Sequence, residues 1–218
     1  MPQQASFPKK VIKRELAEKV PMKILKQKCK EFKKFERGAD FYDMAMQIVD
    51  KFPLQACIII LATWNMGRFR FVVKNRQNLI KLKNAIEKCK PLFEKIKHEN
   101  FQNVNFDSIK DTVAEIYSTL SKIKGVEYTG ASKIMHLFNP NLFVMWDSYI
   151  RNYYRFKGDA QSYINFQKLM QKKFGTIKWN KTGKTLAKAI DEYNYITITF
   201  PRLEKQRKKR HSKVKGLK

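Results

Sequence analysis

Residues 113–138 read VAEIYSTLSKIKGVEYTGASKIMHLF, and they give the clearest structural signal in the chain. Its apolar residues recur at three- and four-residue steps up to Ile123, which is typical of an amphipathic helix. Gly125 interrupts the pattern, and apolar residues then continue to Phe138. The stretch therefore predicts two helices joined by a tight turn at residues 124–128, with the second helix starting at Thr129. Val126, in the middle of the turn, is expected to point inward and hold the two helices together.

The turn is the first candidate for ligand binding. Backbone N–H groups in the first turn of a helix have no partner within the helix, and they lie at the positive end of its dipole. Such groups suit a phosphate oxygen. The sequence therefore predicts a phosphate-binding hairpin, flanked by two lysines. Its expected residues are Lys124, Gly125, Val126, Glu127, Thr129, Gly130 and Lys133.

The remaining apolar patterns predict more helices. Asp40 and Asp107 are expected to cap helix N-termini, and Pro91 is expected to divide the helical stretch 74–98. A buried strand stays open as an alternative for residues 54–65, and the alternating Ile and Thr of residues 195–200 indicate a short strand. We predict an all-α, multi-helical fold. Its expected parts are a basic helical extension (1–37), a main domain (38–200) and a basic tail that is disordered without a partner (201–218).

The charge of the chain indicates a polyanionic partner. Lys and Arg number 46 against 19 Asp and Glu, for a net charge of +27. Cations placed near phosphates release condensed counterions, which favours nucleic acid over a small neutral substrate. A basic protein adapted to heat or to a membrane surface is the alternative. The hydrophobic fraction of 43% is sufficient for a folded core.

Cysteine usage and hydropathy give the remaining expectations. Cys29, Cys57 and Cys89 match no metal-binding spacing, so we expect reduced thiols and neither a metal nor a cofactor. The longest apolar run, residues 56–62, is too short to span a membrane, and the N-terminus has no signal-peptide pattern. An intracellular protein, cytoplasmic or nucleoid-associated, is expected.

The hairpin and the segment after it resemble the helix-hairpin-helix DNA glycosylase superfamily, which includes endonuclease III and the 8-oxoguanine glycosylases. The similar residues are Ile123-Lys124-Gly125-Val126-Glu127-Tyr128-Thr129-Gly130-Ala131 and Val144-Met145-Trp146-Asp147-Ser148-Tyr149-Ile150-Arg151. Asp147 follows Thr129 by eighteen residues, which is the family's spacing between its lysine position and its aspartate. A weaker similarity covers Ala62-Thr63-Trp64-Asn65-Met66-Gly67-Arg68, which looks like the family segment that reaches DNA near the extruded base.

The resemblance implies a two-lobed helical fold, a double-stranded DNA partner and a monomer. It also implies a glycosylase that takes the target base out of the stack and hydrolyses its glycosidic bond. Asp147 would stabilise the developing positive charge on the sugar or orient the attacking water. The residues expected to line the base pocket or contact the duplex are Trp64, Asn65, Arg68, Trp146 and Tyr149.

The sequence departs from the family at two positions. Thr129 stands where bifunctional members carry their Schiff-base lysine, and threonine cannot form an imine. Lys133, one helical turn further on, is the remaining lysine on that side. Glu127 replaces the second hairpin glycine, which places a carboxylate beside the expected phosphate and a side chain where the turn requires positive φ. No cysteines follow the hairpin, so the family's iron–sulfur loop is not expected.

Other interpretations of the same residues stay open. Asp147 also fits the role of a helix N-cap, and Asn65 fits that of a helix C-cap. The aromatic residues and His136 fit a place in the hydrophobic core. The chain would then be a non-catalytic helix-hairpin-helix protein that binds DNA. An RNA-binding protein is a more distant possibility.

Overall fold

A computed structural model describes residues 18–36, 38–180 and 183–215, with side chains through Lys209, and shows no strand in those residues. The all-α prediction is confirmed. In chain order the elements are α1 (Met22–Lys33), α2 (Ala39–Ile48), α3 (Pro53–Trp64), α4 (Met66–Val73), α5 (Arg76–Lys95), α6 (Lys110–Ser121), α7 (Glu127–Phe138), α8 (Ser148–Tyr153), α9 (Ala160–Phe174), α10 (Leu186–Asn194), a π-helical segment (Tyr195–Thr199) and α11 (Phe200–Lys215).

The predicted helical hairpin lies at the centre of the fold. Helices α6 and α7 pack against each other, and Val126 between them is fully buried, as predicted. Helix α7 begins at Glu127, two residues before the predicted start. Helix α3 packs on α7 and buries Cys57, Ile60 and Leu61, so the strand alternative for this stretch is wrong.

Three predicted helix boundaries are wrong. Helix α2 follows Gly38, and the Asp40 side chain caps nothing because it lies inside the first turn. Asp107 lies two residues before Ile109, the N-cap residue of α6. It forms an ion pair with Lys168 at 2.5 Å instead of capping the helix. Pro91 lies inside α5 without ending it. The apolar face of α5 stays buried on both sides of the proline, and that packing offsets the lost backbone hydrogen bond.

The C-terminal region differs most from the sequence prediction. The expected strand at 195–200 is a π-helical segment, and α11 continues from it to Lys215, whereas a disordered tail was expected. The Thr197 hydroxyl donates to the Tyr193 carbonyl at 2.7 Å, a bond that helical backbone allows. Arg202 donates to the Tyr149 carbonyl at 2.8 Å and anchors α11 on the body. These contacts outweigh the strand preference of alternating Ile and Thr.

The N-terminal helix belongs to the same hydrophobic core as the rest of the chain. Helix α1 packs on α10 and buries Leu25, Cys29 and Phe32. Residues 1–17 of the predicted basic extension lie outside the described residues. All three cysteines are free and buried. Within the described residues, no helix combines the length and the apolarity needed to cross a membrane.

Candidate nucleic-acid site

The hairpin packs closely against α3 and α4. Gly125 has φ 98°, and a Cβ there would lie 2.7 Å from Val72 Cγ2 and 3.0 Å from the Arg68 carbonyl oxygen. Glu127 has φ 53°, so the turn does hold a side chain in the left-handed region that glycine favours. Its carboxylate accepts an ion pair from Arg68 Nε at 3.4 Å. Arg68 therefore neutralises the hairpin's own carboxylate, although the pair is largely exposed and weak.

Asn65 is the C-cap residue of α3, as its alternative interpretation predicted. Its side chain is buried, and Nδ2 donates to the carbonyl oxygens of Gly125 and Val126, both at 3.3 Å. A Cβ on Gly130 would lie 3.0 Å from the same Nδ2 atom. Asn65 thus ties the hairpin to the junction of α3 and α4 through its Nδ2 atom.

The start of α7 keeps the unpartnered donors that the sequence predicts. No side chain caps this helix, and no acceptor among the described residues takes the N–H groups of Tyr128 and Thr129. Arg151 lies beside them, with its guanidinium carbon 5.0 Å from the Tyr128 ring centroid. Its Nε atom is buried and has no hydrogen-bond partner among the described residues. Lys124 lies over the Phe71 ring at 5.4 Å, on the α4 side of the hairpin.

A cavity of about 1600 Å³ opens beside the hairpin. Most of the predicted site residues line it, whereas Lys124, Gly125 and Gly130 do not. Several residues that sequence analysis did not select line it too. The predicted residues in its wall are Trp64, Asn65, Arg68, Val126, Glu127, Thr129, Lys133, Trp146, Asp147 and Tyr149. The charged or hydroxyl-bearing residues in the wall that the sequence did not predict, and that are discussed below, are Lys188, Asp191, Thr199 and Arg207.

Asp147 is both a helix cap and a cavity residue. Its Oδ1 accepts the backbone N–H groups of Tyr149 and Ile150 at 2.7 and 2.8 Å. Its Oδ2 accepts the hydroxyl of Thr199, in the π-helical segment, at 2.7 Å. The capping interpretation is confirmed, and it does not exclude chemistry because the carboxylate lines the cavity while it caps α8.

The Trp146 side chain is a core residue, which corrects its assignment to a base pocket. It is 1% exposed, and its ring lies 5.1 Å from Tyr163 and 5.2 Å from Phe166. Its Nε1 donates to the Tyr128 carbonyl at 3.3 Å, which connects the core to the start of α7. Tyr149, by contrast, is partly exposed at the cavity, where its hydroxyl donates to Gln206 at 3.0 Å.

Lys133 places an amine in the cavity wall. Its Nζ donates to the Trp64 carbonyl oxygen at the end of α3. Burial lowers the pKa of Lys133 to about 8, although the carboxylates of Asp191 and Asp147 act in the opposite direction. This amine therefore releases its proton more readily than an exposed lysine does.

Lys188 occupies an aromatic enclosure at the base of the cavity. Its Nζ lies 4.7 Å from the Trp64 ring centroid, 4.8 Å from Phe32 and 5.4 Å from Tyr42. Asp191 pairs with it at 3.2 Å. Burial disfavours the ammonium, but the neighbouring carboxylates outweigh that and raise the pKa of Lys188. Trp64, stacked on Tyr42 at 5.3 Å, is held in place by this arrangement.

His136 is a neutral core residue, as the sequence suggested. Its Nδ1–H donates to the Phe143 carbonyl at 2.6 Å and its Nε2 accepts the Tyr42 hydroxyl at 2.9 Å. Burial lowers the pKa of His136 to about 3 from 6.5. The unfolded chain therefore takes up a proton below pH 6.5 that the folded chain does not.

We expect the free energy of unfolding to fall with acidification because of His136. The slope it adds is about 1.4 kcal/mol per pH unit below pH 6.5. Urea melts at pH 7, 6 and 5 would show this slope in wild type and its reduction in His136→Gln. His98, which is exposed, gives the control His98→Gln. An equal pH slope in wild type and His136→Gln would contradict the prediction.

Sequence patterns gave no signal for Lys188, Asp191 or Thr199. The two charged residues have the helical spacing of an exposed ion pair, and Thr199 falls in the stretch predicted as a strand. No group of three or more metal-ligating side chains occurs among residues 18–36, 38–180 and 183–215. No protein-family model matches the chain, and no curated protein or solved structure matches it either.

Proposed function

We propose that this protein binds DNA through the hairpin and its basic surface, admits one extruded nucleotide to the cavity and hydrolyses its N-glycosidic bond. The observation that carries the proposal is the position of Asp147. Its carboxylate lines a cavity large enough for a nucleotide and lies on the chain segment that follows the hairpin with unpartnered N–H groups. A phosphate at those groups would place the neighbouring nucleotide near the cavity mouth.

The chemistry requires a negative charge near the sugar and an attacking water. As the bond between C1′ and the base nitrogen breaks, the base leaves with the electron pair and the sugar becomes cationic. Asp147 stabilises that cation, the oxygen of water bonds to C1′, and its proton passes to solvent or to the departing base. The Thr199 hydroxyl holds Oδ2 in place, while the N–H groups of α8 hold Oδ1.

The surroundings of Asp147 fit an extruded base. Trp64 and Tyr149 supply aromatic surface in the cavity wall, and the exposed Arg207 supplies positive charge that suits a phosphate. Thr129 provides no amine at the family's lysine position, so water is the nucleophile in this proposal.

The test is a panel of duplexes that each contain one oxidised, deaminated, alkylated or mismatched base. We expect at least one duplex to yield free base and an alkali-labile abasic site under single-turnover conditions, measured by mass spectrometry and gel electrophoresis. Base release from none of them, with tight binding to all, would favour the non-catalytic alternative. That alternative is supported by the two hydrogen bonds through which Asp147 caps α8 and by the third that it accepts from Thr199.

A further inference from the structure

The mouth of the cavity has an exposed apolar rim. Phe35, after α1, is 49% exposed, Phe41 in α2 is 51% exposed, and Met66 at the start of α4 is 54% exposed. All three line the cavity. Large apolar side chains grouped at an opening in this way are typical of a binding surface.

A second part of the rim is basic. Helix α11 contributes Leu203 and Arg207 to the cavity wall. Its described side chains include five cations and one acid, Glu204, and the cations are Arg202, Lys205, Arg207, Lys208 and Lys209. Arg207 pairs with Glu204 at 3.1 Å, but its side chain is 69% exposed, so that pair is weak. Phosphates are the natural partners of this rim.

The two rims meet at one aromatic contact. The Phe35 ring packs on the Phe200 ring at the start of α11, with centroids 4.3 Å apart and planes inclined at 34°. The apolar surface and the basic helix therefore form one continuous border with a fixed relation between them.

A regular duplex does not match this border. Its outer surface presents phosphates, while the faces of its bases are stacked and unavailable to Phe35 or Phe41. Unpaired nucleotides present both base faces and phosphates, and proteins bind them with aromatic side chains beside a basic groove. We propose that the cavity mouth binds a single-stranded stretch of DNA, with its bases on Phe35 and Phe41 and its phosphates along α11. This inference rests on the proposed function for the class of partner, and it adds that the substrate is unpaired around the target nucleotide.

The test compares a fluorescent single-stranded oligonucleotide with its duplex by anisotropy at fixed salt. We expect Phe35→Ala and Phe41→Ala each to weaken single-strand binding about 10-fold, because one stacked base is lost, and to change duplex binding less than 2-fold. The matched control is Phe52→Ala, because Phe52 is 53% exposed but does not line the cavity. Arg207→Gln should weaken binding of both ligands and reduce the salt dependence.

Three results would overturn the inference. One is duplex binding at least as tight as single-strand binding in the wild type. The second is an equal loss of single-strand affinity in Phe52→Ala. The third is tighter binding of the RNA oligonucleotide of the same sequence, which would assign the mouth to RNA. Base release from the duplex panel without single-strand preference would leave the proposed function standing and refute only this inference. Binding of no nucleic acid would refute both.

Discussion

Asp147→Asn should slow base release about 10²–10⁴-fold while leaving the fold nearly as stable as wild type. Asn is as good an N-cap as Asp, and its Oδ1 can still accept the N–H groups of Tyr149 and Ile150. The Thr199 hydroxyl can turn to accept from the new amide. The substitution removes the negative charge that stabilises the sugar cation. The expected decrease in rate is the contribution that one acid–base group typically makes to catalysis. Single-turnover rates on a duplex that wild type processes would measure it.

The matched control is Asp159→Asn. Asp159 caps α9 by accepting the Ser162 N–H at 2.7 Å, and it does not line the cavity. The same substitution at an equivalent cap should therefore leave base release unchanged. Equal rates in wild type and Asp147→Asn, with both proteins folded, would remove Asp147 from the chemistry and leave it as a cap.

Lys188→Met should lower the free energy of unfolding by about 3–5 kcal/mol. Methionine retains the aliphatic part of the side chain against Phe32, Tyr42 and Trp64. The loss of stability therefore comes mainly from removal of the positive charge of Lys188. Lys188 is 5% exposed, and without its ammonium the Asp191 carboxylate loses its direct partner in a poorly solvated position. Urea unfolding at pH 7 would measure the difference.

Two further variants make the Lys188 prediction specific. Lys90 forms an exposed pair with Glu87 at 2.8 Å, so Lys90→Met should cost less than about 1 kcal/mol. The double variant Lys188→Met with Asp191→Asn should recover much of the loss, since the uncompensated charge is gone. A Lys188→Met protein no less stable than Lys90→Met would contradict the prediction.

Local patterns were sufficient to predict the helices and the hairpin. The apolar spacing in residues 113–138 depends on one buried face per helix, and the structure retains that face with Val126 at its centre. The cap at Asp147 was also predictable, because Asp before a short helix is a local preference.

The composition of the cavity was not predictable from local pattern. Lys188 and Asp191 have the spacing of a solvent-exposed pair, and only the approach of aromatic rings from α1, α2 and α3 encloses Lys188. Trp146 was assigned to the pocket because an aromatic next to an acid suggests a site, whereas its ring points into the core. Asn65 was assigned to a DNA contact from the family resemblance. Nothing in the sequence shows that residues 125 and 126 approach it.

Helix α10 and the π-helical residues 195–199, which precede α11, determine which side of α11 faces the cavity. Each residue of an α-helix turns the chain by about 100°. Insertion of a single residue between Asn194 and Tyr195 would lengthen α10, leave the π-helical segment intact and therefore rotate α11 by about that angle. Thr199 would leave Asp147, Arg202 would leave the Tyr149 carbonyl, and Arg207 would turn away from the cavity, although every cation would remain. The direction in which the positive charges of α11 face thus depends on the length of the helical segment before it. It depends less on the number of those charges.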